Sequence, residues 1–398
     1  MDRYQLEGTH KIIDKRIILV FLCFLGALIS FNISSIAGIV PAMSGVFGVS
    51  DFTMGRIIVA YMVPYGIAAL LYGPLSRIVN VGKLVLFCLS VFSVSSFFSG
   101  VVSSFWPLLF SRVVAGIAAS VVIPLSLSLI GHLMPYEERG KAVGVFFSVT
   151  FASSVTGVFL SGLVDWRWMF FIPAFGGVAV VMFALILLPP MEREQIGLKT
   201  NYFRVLFKDE GRSVFAYIFL VAFIYSSIYS WLGVFFVHKF GMSQLWISLF
   251  LTSIGLGGIV GELTGGIFAD KKGRITTVTC GALFLFVTTV GFVYTSSFLV
   301  LGLVLFLHGL AWTVNHSALS TILTDFPSHL RAEATSLNSS LRFVSGGIGT
   351  AVTGFFVARD FHITFLVYAL LFLLLGMMTR VMLRRPIADK VIVQEGIL

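Results

Sequence analysis

Residues 243–274 read SQLWISLFLTSIGLGGIVGELTGGIFADKKGR, a long apolar run that ends in a short basic segment. The run 243–269 exceeds the roughly 20 apolar residues that a membrane-spanning helix needs. Backbone groups inside lipid must satisfy their own hydrogen bonds, so such a run predicts a helix. Eleven other runs share this pattern, at 17–40, 54–76, 82–101, 106–133, 140–164, 168–189, 213–236, 275–295, 298–324, 331–357 and 361–383. We therefore predict an all-α membrane protein with twelve transmembrane helices.

The composition indicates a chain that is solvated mainly by lipid. Charged residues make up 11% and hydrophobic residues 58% of the 398 residues, whereas soluble domains carry about 25% charged residues. The net charge of +9 does not indicate a nucleic-acid partner, because the basic residues lie in short clusters between the apolar runs. The first run is too long for a signal-peptide core of roughly 7–15 residues, so we expect it to remain as the first span.

Lys and Arg residues are distributed unevenly between the two sides of the predicted bundle. Twelve spans place both termini on one side, and 21 of the 27 Lys and Arg residues fall on that side. The other side has Arg56, Arg167, Lys239 and Arg359, while Arg112 and Arg342 fall inside spans. Because cytoplasmic loops carry the excess of Lys and Arg, we expect both termini to be cytoplasmic, in a plasma membrane or bacterial inner membrane.

The two halves of the chain resemble each other at an offset of about 192–193 residues. The matched pairs are Ser50 with Ser243, Gly73 with Gly266, Pro135 with Pro327, Arg139 with Arg331, Gly157 with Gly349 and Gly162 with Gly354. Each pair falls at the same place in the span pattern, which predicts a parallel repeat of six helices with a solute site between the halves. We expect an N-terminal bundle over 1–189, a cytoplasmic linker over 190–212 and a C-terminal bundle with a short cytoplasmic tail over 213–398.

The loop Gly266-x-Phe268-Ala269-Asp270-Lys271-Lys272-Gly273-Arg274 is similar to the G-x-L-A-D-R-x-G-R loop of the major facilitator superfamily. Glycines permit a tight turn there, and the carboxylate of Asp270 suits the positive N-terminus of a neighbouring helix. The resemblance covers nearly all of the chain. It implies the major facilitator fold, with a loop that packs on the other half and stabilises the outward-facing state.

The first-half copy of this loop departs from the family pattern. It begins with Gly73, but Arg77 stands in place of Asp and Asn80 in place of Gly. In the family each loop faces the start of a helix in the other half. This predicts that Arg77 pairs with Glu333, and that Asp270 pairs with Lys141 or Arg139. The alternative is that these are independent, solvated loop charges.

Two further motifs resemble the drug:proton antiporter branch of the superfamily. The first is Arg112-x-x-x-Gly116 in the fourth span, where the family links the Arg to proton coupling. A buried Arg needs an acceptor or an anion, and we expect Asn32 of the first span to supply one; a purely structural clamp is the alternative. The second is Trp166-Arg167-Trp168, although the Pro of the family's pattern before it is missing.

The resemblance implies that spans one, four, seven and ten line the transport cavity. On these spans the candidate cavity residues are Asn32, Arg112, Tyr225, Tyr229, His308, Trp312, Asn315 and His316. The last four follow helical spacing and are expected to share one face of the tenth span. Interhelical hydrogen bonding is the alternative for each of them. Ionisable groups inside lipid indicate function, so Glu262, His308 and Arg112 are candidates for proton coupling; a structural ion pair is the alternative for Glu262.

These patterns predict a secondary active transporter that moves a small organic solute by alternating access, with proton-coupled efflux as the first hypothesis. An uptake porter for an organic anion and a non-transporting membrane sensor are the alternatives. The embedded charges favour an anionic or neutral solute. An enzyme is not expected, because no nucleophile–base pair, metal-ligand cluster or Walker loop is present in the sequence. Cys23, Cys88 and Cys280 lie unpaired inside apolar runs, so we expect no disulfide, metal or cofactor, and the family implies a monomer.

Overall fold

The computed structural model describes residues 15–134, 136–187, 202–207, 209–324, 326 and 331–383. Within them, twelve helical segments are long and apolar enough to cross a membrane, which confirms the predicted fold class. The helices are α1 (Lys15–Phe47), α2 (Asp51–Ile78), α3 (Val81–Val101), α4 (Phe105–Ala119), α5 (Val122–Leu133), α6 (Tyr136–Leu160), α7 (Trp168–Leu187), α8 (Tyr202–Phe207), α9 (Asp209–Tyr229), α10 (Leu232–Phe240), α11 (Gln244–Lys272), α12 (Arg274–Tyr294), α13 (Phe298–Thr324), α14 (Arg331–Val357) and α15 (Phe361–Leu383).

The fourth span is interrupted, whereas the sequence predicts one helix over 106–133. Helix α4 ends at Ala119 and α5 begins at Val122. Pro124 explains this break, because its ring lacks an N–H and clashes with the carbonyl group four residues earlier, that of Ser120. The Ser120 hydroxyl donates to the carbonyl of Ile117 at 2.8 Å.

The seventh span is also interrupted, between α9 and α10, and here no Pro is responsible. Trp231 at the break is 2% exposed. Its indole Nε1 donates to the carbonyl of Thr350 at 3.1 Å, and the hydroxyls of Ser230 and Thr350 lie 2.9 Å apart. Tertiary contacts with α14 therefore fix a break that the hydropathy of the span does not reveal.

Three turns in the described chain need glycine. The φ angles are +63° at Gly48, +62° at Gly241 and +87° at Gly273, values that only glycine adopts without strain. Gly48 and Gly241 occupy equivalent places in the two halves, so the repeat extends to the conformation of this turn. At the place equivalent to Gly273 stands Asn80, whose backbone is extended and whose side chain accepts from the N–H of Lys83 to cap α3.

Contacts between the two halves follow the predicted repeat. Helix α2 packs on α14 and α6 packs on α11, and each of these pairs maps onto the other when the halves are exchanged. The α2–α14 contact is close: a Cβ added to Gly347 would lie 2.6 Å from Cγ2 of Val63. The predicted domain boundaries stay a prediction; helix α8 and the start of α9 lie within the proposed 190–212 linker, and residues 190–201 lie outside the described residues.

We call the end of the bundle that carries turns 48–50, 161–167 and 241–243 the outer end, because the charge pattern predicts that it faces the outside. The halves are joined there. The Gln244 amide donates to the carbonyl groups of Gly38 at 2.9 Å and Ser161 at 3.2 Å. His238 Nε2 lies 3.4 Å from Asp51 Oδ2. In this conformation the outer end is closed.

Two basic residues at the outer end have partners within the chain. The Lys239 ammonium donates to the carbonyl groups of Val293 at 2.5 Å and Thr295 at 3.0 Å, at the C-terminus of α12. The Arg167 guanidinium carbon lies 4.4 Å from the centroid of Trp166, and Nη1 lies 3.6 Å from a carboxylate oxygen of Asp165. Both cations are therefore partly compensated by groups next to them.

Candidate functional site

A cavity of about 220 Å³ lies between the two halves. Helices α1, α4, α9 and α13 contribute to its wall, as the family resemblance implies, and α2, α6 and α11 contribute as well. Arg112, Tyr225, Tyr229 and Trp312 are the predicted cavity residues that line it. Arg112 is the one charged side chain among the described residues of this wall. The cavity is therefore mostly apolar and aromatic with a single cation.

Arg112 is held by α1 and covered by aromatic rings. It is 1% exposed, and its Nη1 donates to Asn32 Oδ1 at 2.9 Å. The Asn32 amide in turn donates to the carbonyl group of Met169 at 3.2 Å, which fixes its orientation. The structure thus confirms the expected Arg112–Asn32 contact and places Asn32 behind the wall. A carboxylate does not lie within 4 Å of Arg112 in the described part of the chain, so its charge is not neutralised there.

The ring of Tyr61 extends the environment of this arginine and was not predicted from the sequence. The guanidinium carbon of Arg112 lies 4.5 Å from the centroid of Tyr61 and 5.4 Å from that of Phe170, distances typical of cation–π contacts. Tyr61 is on α2, a helix that the family resemblance does not assign to the cavity. The sequence signal was the presence of polar aromatic residues inside the second span.

An aromatic stack forms the opposite wall. The rings of Tyr225 and Trp312 lie 3.8 Å apart and nearly parallel, at 7°. Tyr229 continues the stack, with its ring centroid 5.9 Å from that of Tyr225. This stack makes the wall on this side of the cavity aromatic.

The predicted polar stripe on α13 does not lie on one wall. His308 is fully buried, and its Nδ1 lies 2.9 Å from the hydroxyl of Thr288 on α12. Asn315 is also fully buried and donates to the carbonyl group of Val278 on α12 at 2.9 Å. Only Trp312 of the four reaches the cavity wall. At about 100° per residue the four positions cover roughly 100° of the helix, which is wide enough to divide between two neighbours.

His316, the fourth residue of the stripe, meets Glu262. Its Nδ1 lies 3.4 Å from Glu262 Oε2, and the two side chains are 29% and 31% exposed. The pair joins α13 to α11 on the side of the cavity away from the outer end. The facing atoms Glu262 Oε2 and His316 Nδ1 are themselves buried, while the rest of each side chain is partly exposed; the ring of His308 is fully buried. Of the predicted proton-coupling residues, Glu262 is the one that lies at contact distance from a second titratable side chain.

The predicted switch loops are only partly within the described residues. Gly273 makes its turn between α11 and α12, between Lys272 and Arg274, and Gly266 and Asp270 lie in the last turns of α11. Asp270 and Lys141 are both exposed, and an ion pair within 4 Å does not join them in the described part of the chain. Glu333 is 7% exposed and Gly73 lies within α2, while the side chains of Arg77 and Arg139 lie outside the described part. The pairings between the loops stay a prediction.

Comparison with known proteins supports the resemblance. The family described as Major Facilitator Superfamily matches residues 22–350. Multidrug resistance protein 2 of Bacillus subtilis (strain 168) is 24% identical over 367 residues, covering 87% of this chain and 89% of that protein. The uncharacterized MFS-type transporter YceJ of the same organism is 23% identical over 337 residues, covering 81% of this chain and 85% of that protein.

Among solved structures, a bacterial homolog of the human lysosomal transporter Spinster, in an inward-facing and unoccupied conformation, superposes with a TM-score of 0.78. The alignment covers 95% of this chain and 99% of that one, at 15% sequence identity. At this identity the likeness concerns the fold. Since the family match extends over most of the chain, the protein belongs to the Major Facilitator Superfamily.

Proposed function

We propose that this chain is a secondary active transporter that exports a small amphipathic organic anion by alternating access, coupled to protons. The observation that carries the proposal is that the described residues of the cavity wall include one cation, Arg112, and place no carboxylate within 4 Å of it. Arg112 is buried beside aromatic rings and has an amide, not a carboxylate, as its acceptor. A buried charge without a counter-ion is unfavourable, so binding of a solute anion is favoured at this position and binding of a cation is opposed.

Export is supported by the resemblance to antiporters and by the relative named multidrug resistance protein 2. The membrane potential favours it too, because moving one negative charge out of a negative interior gains about 2.3 kcal/mol per 100 mV. The Arg112-x-x-x-Gly116 motif adds to this argument, since the antiporter branch shares it.

The Glu262–His316 pair is the proposed proton-binding group. Its members lie at contact distance and are partly exposed, so the pair can exchange a proton with water entering from the side opposite the outer end. Glu262→Gln is expected to remove the dependence of flux on an imposed pH gradient. His308→Gln, at a buried ring, is the control and keeps that dependence. Equal loss in both variants would contradict this assignment.

Uptake of an organic anion together with a proton is a second candidate function, and the same pair supports it. An ionised Glu262 repels an anion in the nearby cavity, whereas a protonated Glu262 does not. Proton and anion would then strengthen each other's binding, which is the linkage of a symporter.

Proteoliposome flux tests these proposals. The probes are a naphthalene sulfonate and the matching naphthyl trimethylammonium cation, which share a ring system and differ in charge. We expect flux of the sulfonate and not of the cation. If an inward proton gradient drives the sulfonate out of the vesicles, transport is antiport; if the same gradient drives the sulfonate to accumulate inside, transport is symport. Arg112→Gln is expected to lower sulfonate flux at least tenfold. The flux of Arg112→Lys is expected to lie between that of Arg112→Gln and that of the unchanged chain. Preference for the cation, or absence of flux for both probes, would contradict the proposal.

A further inference from the structure

A second arginine, Arg342 on α14, has most of its hydrogen-bonding capacity unused. Its Nε donates to Asn338 Oδ1 at 2.9 Å. Its two terminal nitrogens, Nη1 and Nη2, are buried and make no hydrogen bond to the described part of the chain. A guanidinium has five N–H donors, so four of them lack an acceptor among the described residues. Arginines inside membranes pair with acceptors or mark the path of a ligand.

Arg342 is connected to the cavity through Trp312. Its guanidinium carbon lies over the Trp312 ring, 5.7 Å from the centroid, and Trp312 is part of the cavity wall. The Glu262 carboxylate interacts with Arg342 electrostatically, but it does not come within the 4 Å of an ion pair in the described part of the chain. The terminal nitrogens of Arg342 therefore form neither a hydrogen bond to the described cavity wall nor an ion pair with Glu262.

We propose that Arg342 and Trp312 form a second subsite, in the C-terminal half, that binds an anionic group of the solute: a carboxylate, a sulfonate or a phosphate monoester. The two terminal nitrogens form the fork that binds two oxygens of such a group at once. The Asn338 bond holds the fork in place, and the Trp312 ring supports it. The inference rests on the proposed function, because that function takes the solute to be an anion. The inference adds that the solute carries a second acidic group.

With this subsite each half of the protein contributes one arginine to the solute. Arg112 belongs to the N-terminal half and Arg342 to the C-terminal half, and the aromatic stack of Tyr225 and Trp312 forms part of the cavity wall on the side of the C-terminal half. The proposed solute has an acidic group at each end of a flat apolar body. Such a solute contacts both halves at once.

The test is equilibrium binding to the full chain in nanodiscs, with naphthalene monosulfonate and naphthalene disulfonate as probes. We expect the disulfonate to bind more tightly than the monosulfonate. A hydrogen bond to a charged group is worth about tenfold or more in affinity. We therefore expect Arg342→Gln to weaken binding of the disulfonate by about tenfold or more, and binding of the monosulfonate much less. Arg342→Lys keeps the charge but loses the fork, and we expect an intermediate loss. Arg359→Gln, which removes an exposed cation just beyond the end of α14, is the matched control.

The possible results separate the explanations. An Arg342→Gln protein that elutes as a folded species and binds the disulfonate like the unchanged chain overturns the subsite. Loss of disulfonate binding when phosphatidylcholine is replaced by phosphatidylglycerol identifies a lipid headgroup as the occupant and also overturns it. A chain that binds both probes and transports neither contradicts the proposed function and leaves the subsite intact, because binding is measured without flux.

Discussion

Gln244→Leu should open the outer end of the protein. The Gln244 amide makes two hydrogen bonds from α11 to the N-terminal half, to the carbonyl groups of Gly38 at 2.9 Å and Ser161 at 3.2 Å. A hydrogen bond between transmembrane helices contributes about 0.6 kcal/mol on average, so the loss of both costs about 1.2 kcal/mol. Because 1.4 kcal/mol is a factor of ten in an equilibrium constant, the ratio of closed to open outer ends falls about eightfold.

Cysteine labelling measures this change. Ser34 lines the cavity, and Ser34→Cys would be made in a chain whose natural cysteines, Cys23, Cys88 and Cys280, are replaced by alanine. A maleimide that does not cross membranes is added from the outside. It reaches position 34 only when the outer end is open, so the labelling rate follows the open population. We expect the rate to rise about eightfold in Gln244→Leu, as the hydrogen-bond energies require.

Thr264→Val is the control on the same helix. The Thr264 hydroxyl donates to the carbonyl group of Val260 within α11, at 2.8 Å, so its removal costs a hydrogen bond without affecting the contact between the halves. Labelling at position 34 should stay unchanged in this variant. An unchanged or slower rate in Gln244→Leu, or an equal rise in Thr264→Val, would refute the argument that the Gln244 amide holds the outer end closed.

Two further substitutions test the cavity and the interface. Asn32→Leu removes the acceptor of Arg112 and should lower the free energy of unfolding by about 2 kcal/mol in detergent; Asn32→Asp should retain stability but weaken sulfonate binding, because its carboxylate neutralises the arginine. Gly347→Val places a side chain where a Cβ would already lie 2.6 Å from Val63, and we expect flux to fall at least tenfold. Gly144→Val, where a Cβ meets nothing within 4 Å, should leave flux unchanged.

The sequence predicts the membrane spans well because their signal is local. Every predicted span corresponds to a helix or to a pair of helices in the described chain. The break near Ser120 could have been read from Pro124, whose effect on a helix is also local. The break at Trp231 could not, because it depends on hydrogen bonds to Thr350 of another helix.

The candidate site was predicted in part for a similar reason. An arginine inside a span must find an acceptor, and this requirement pointed to Asn32. The contact between Glu262 and His316, and the division of the α13 stripe, depend on how α11, α12 and α13 are rotated against one another. Single-helix periodicity carries no information on that rotation, so the sequence grouped His308 and Asn315 with Trp312 although they face α12.

The compensation of Lys239 and Arg167 has a consequence for how the chain enters the membrane. Positive residues resist translocation during insertion, yet both of these lie in segments that the charge pattern sends across. In the folded protein the carbonyl groups ending α12 bind the Lys239 ammonium, and Asp165 lies beside Arg167. The partners of Lys239 are synthesised only after it. On the predicted topology, Lys239 therefore crosses the membrane before its partners are made, whereas Asp165 precedes Arg167 in the chain and crosses with it.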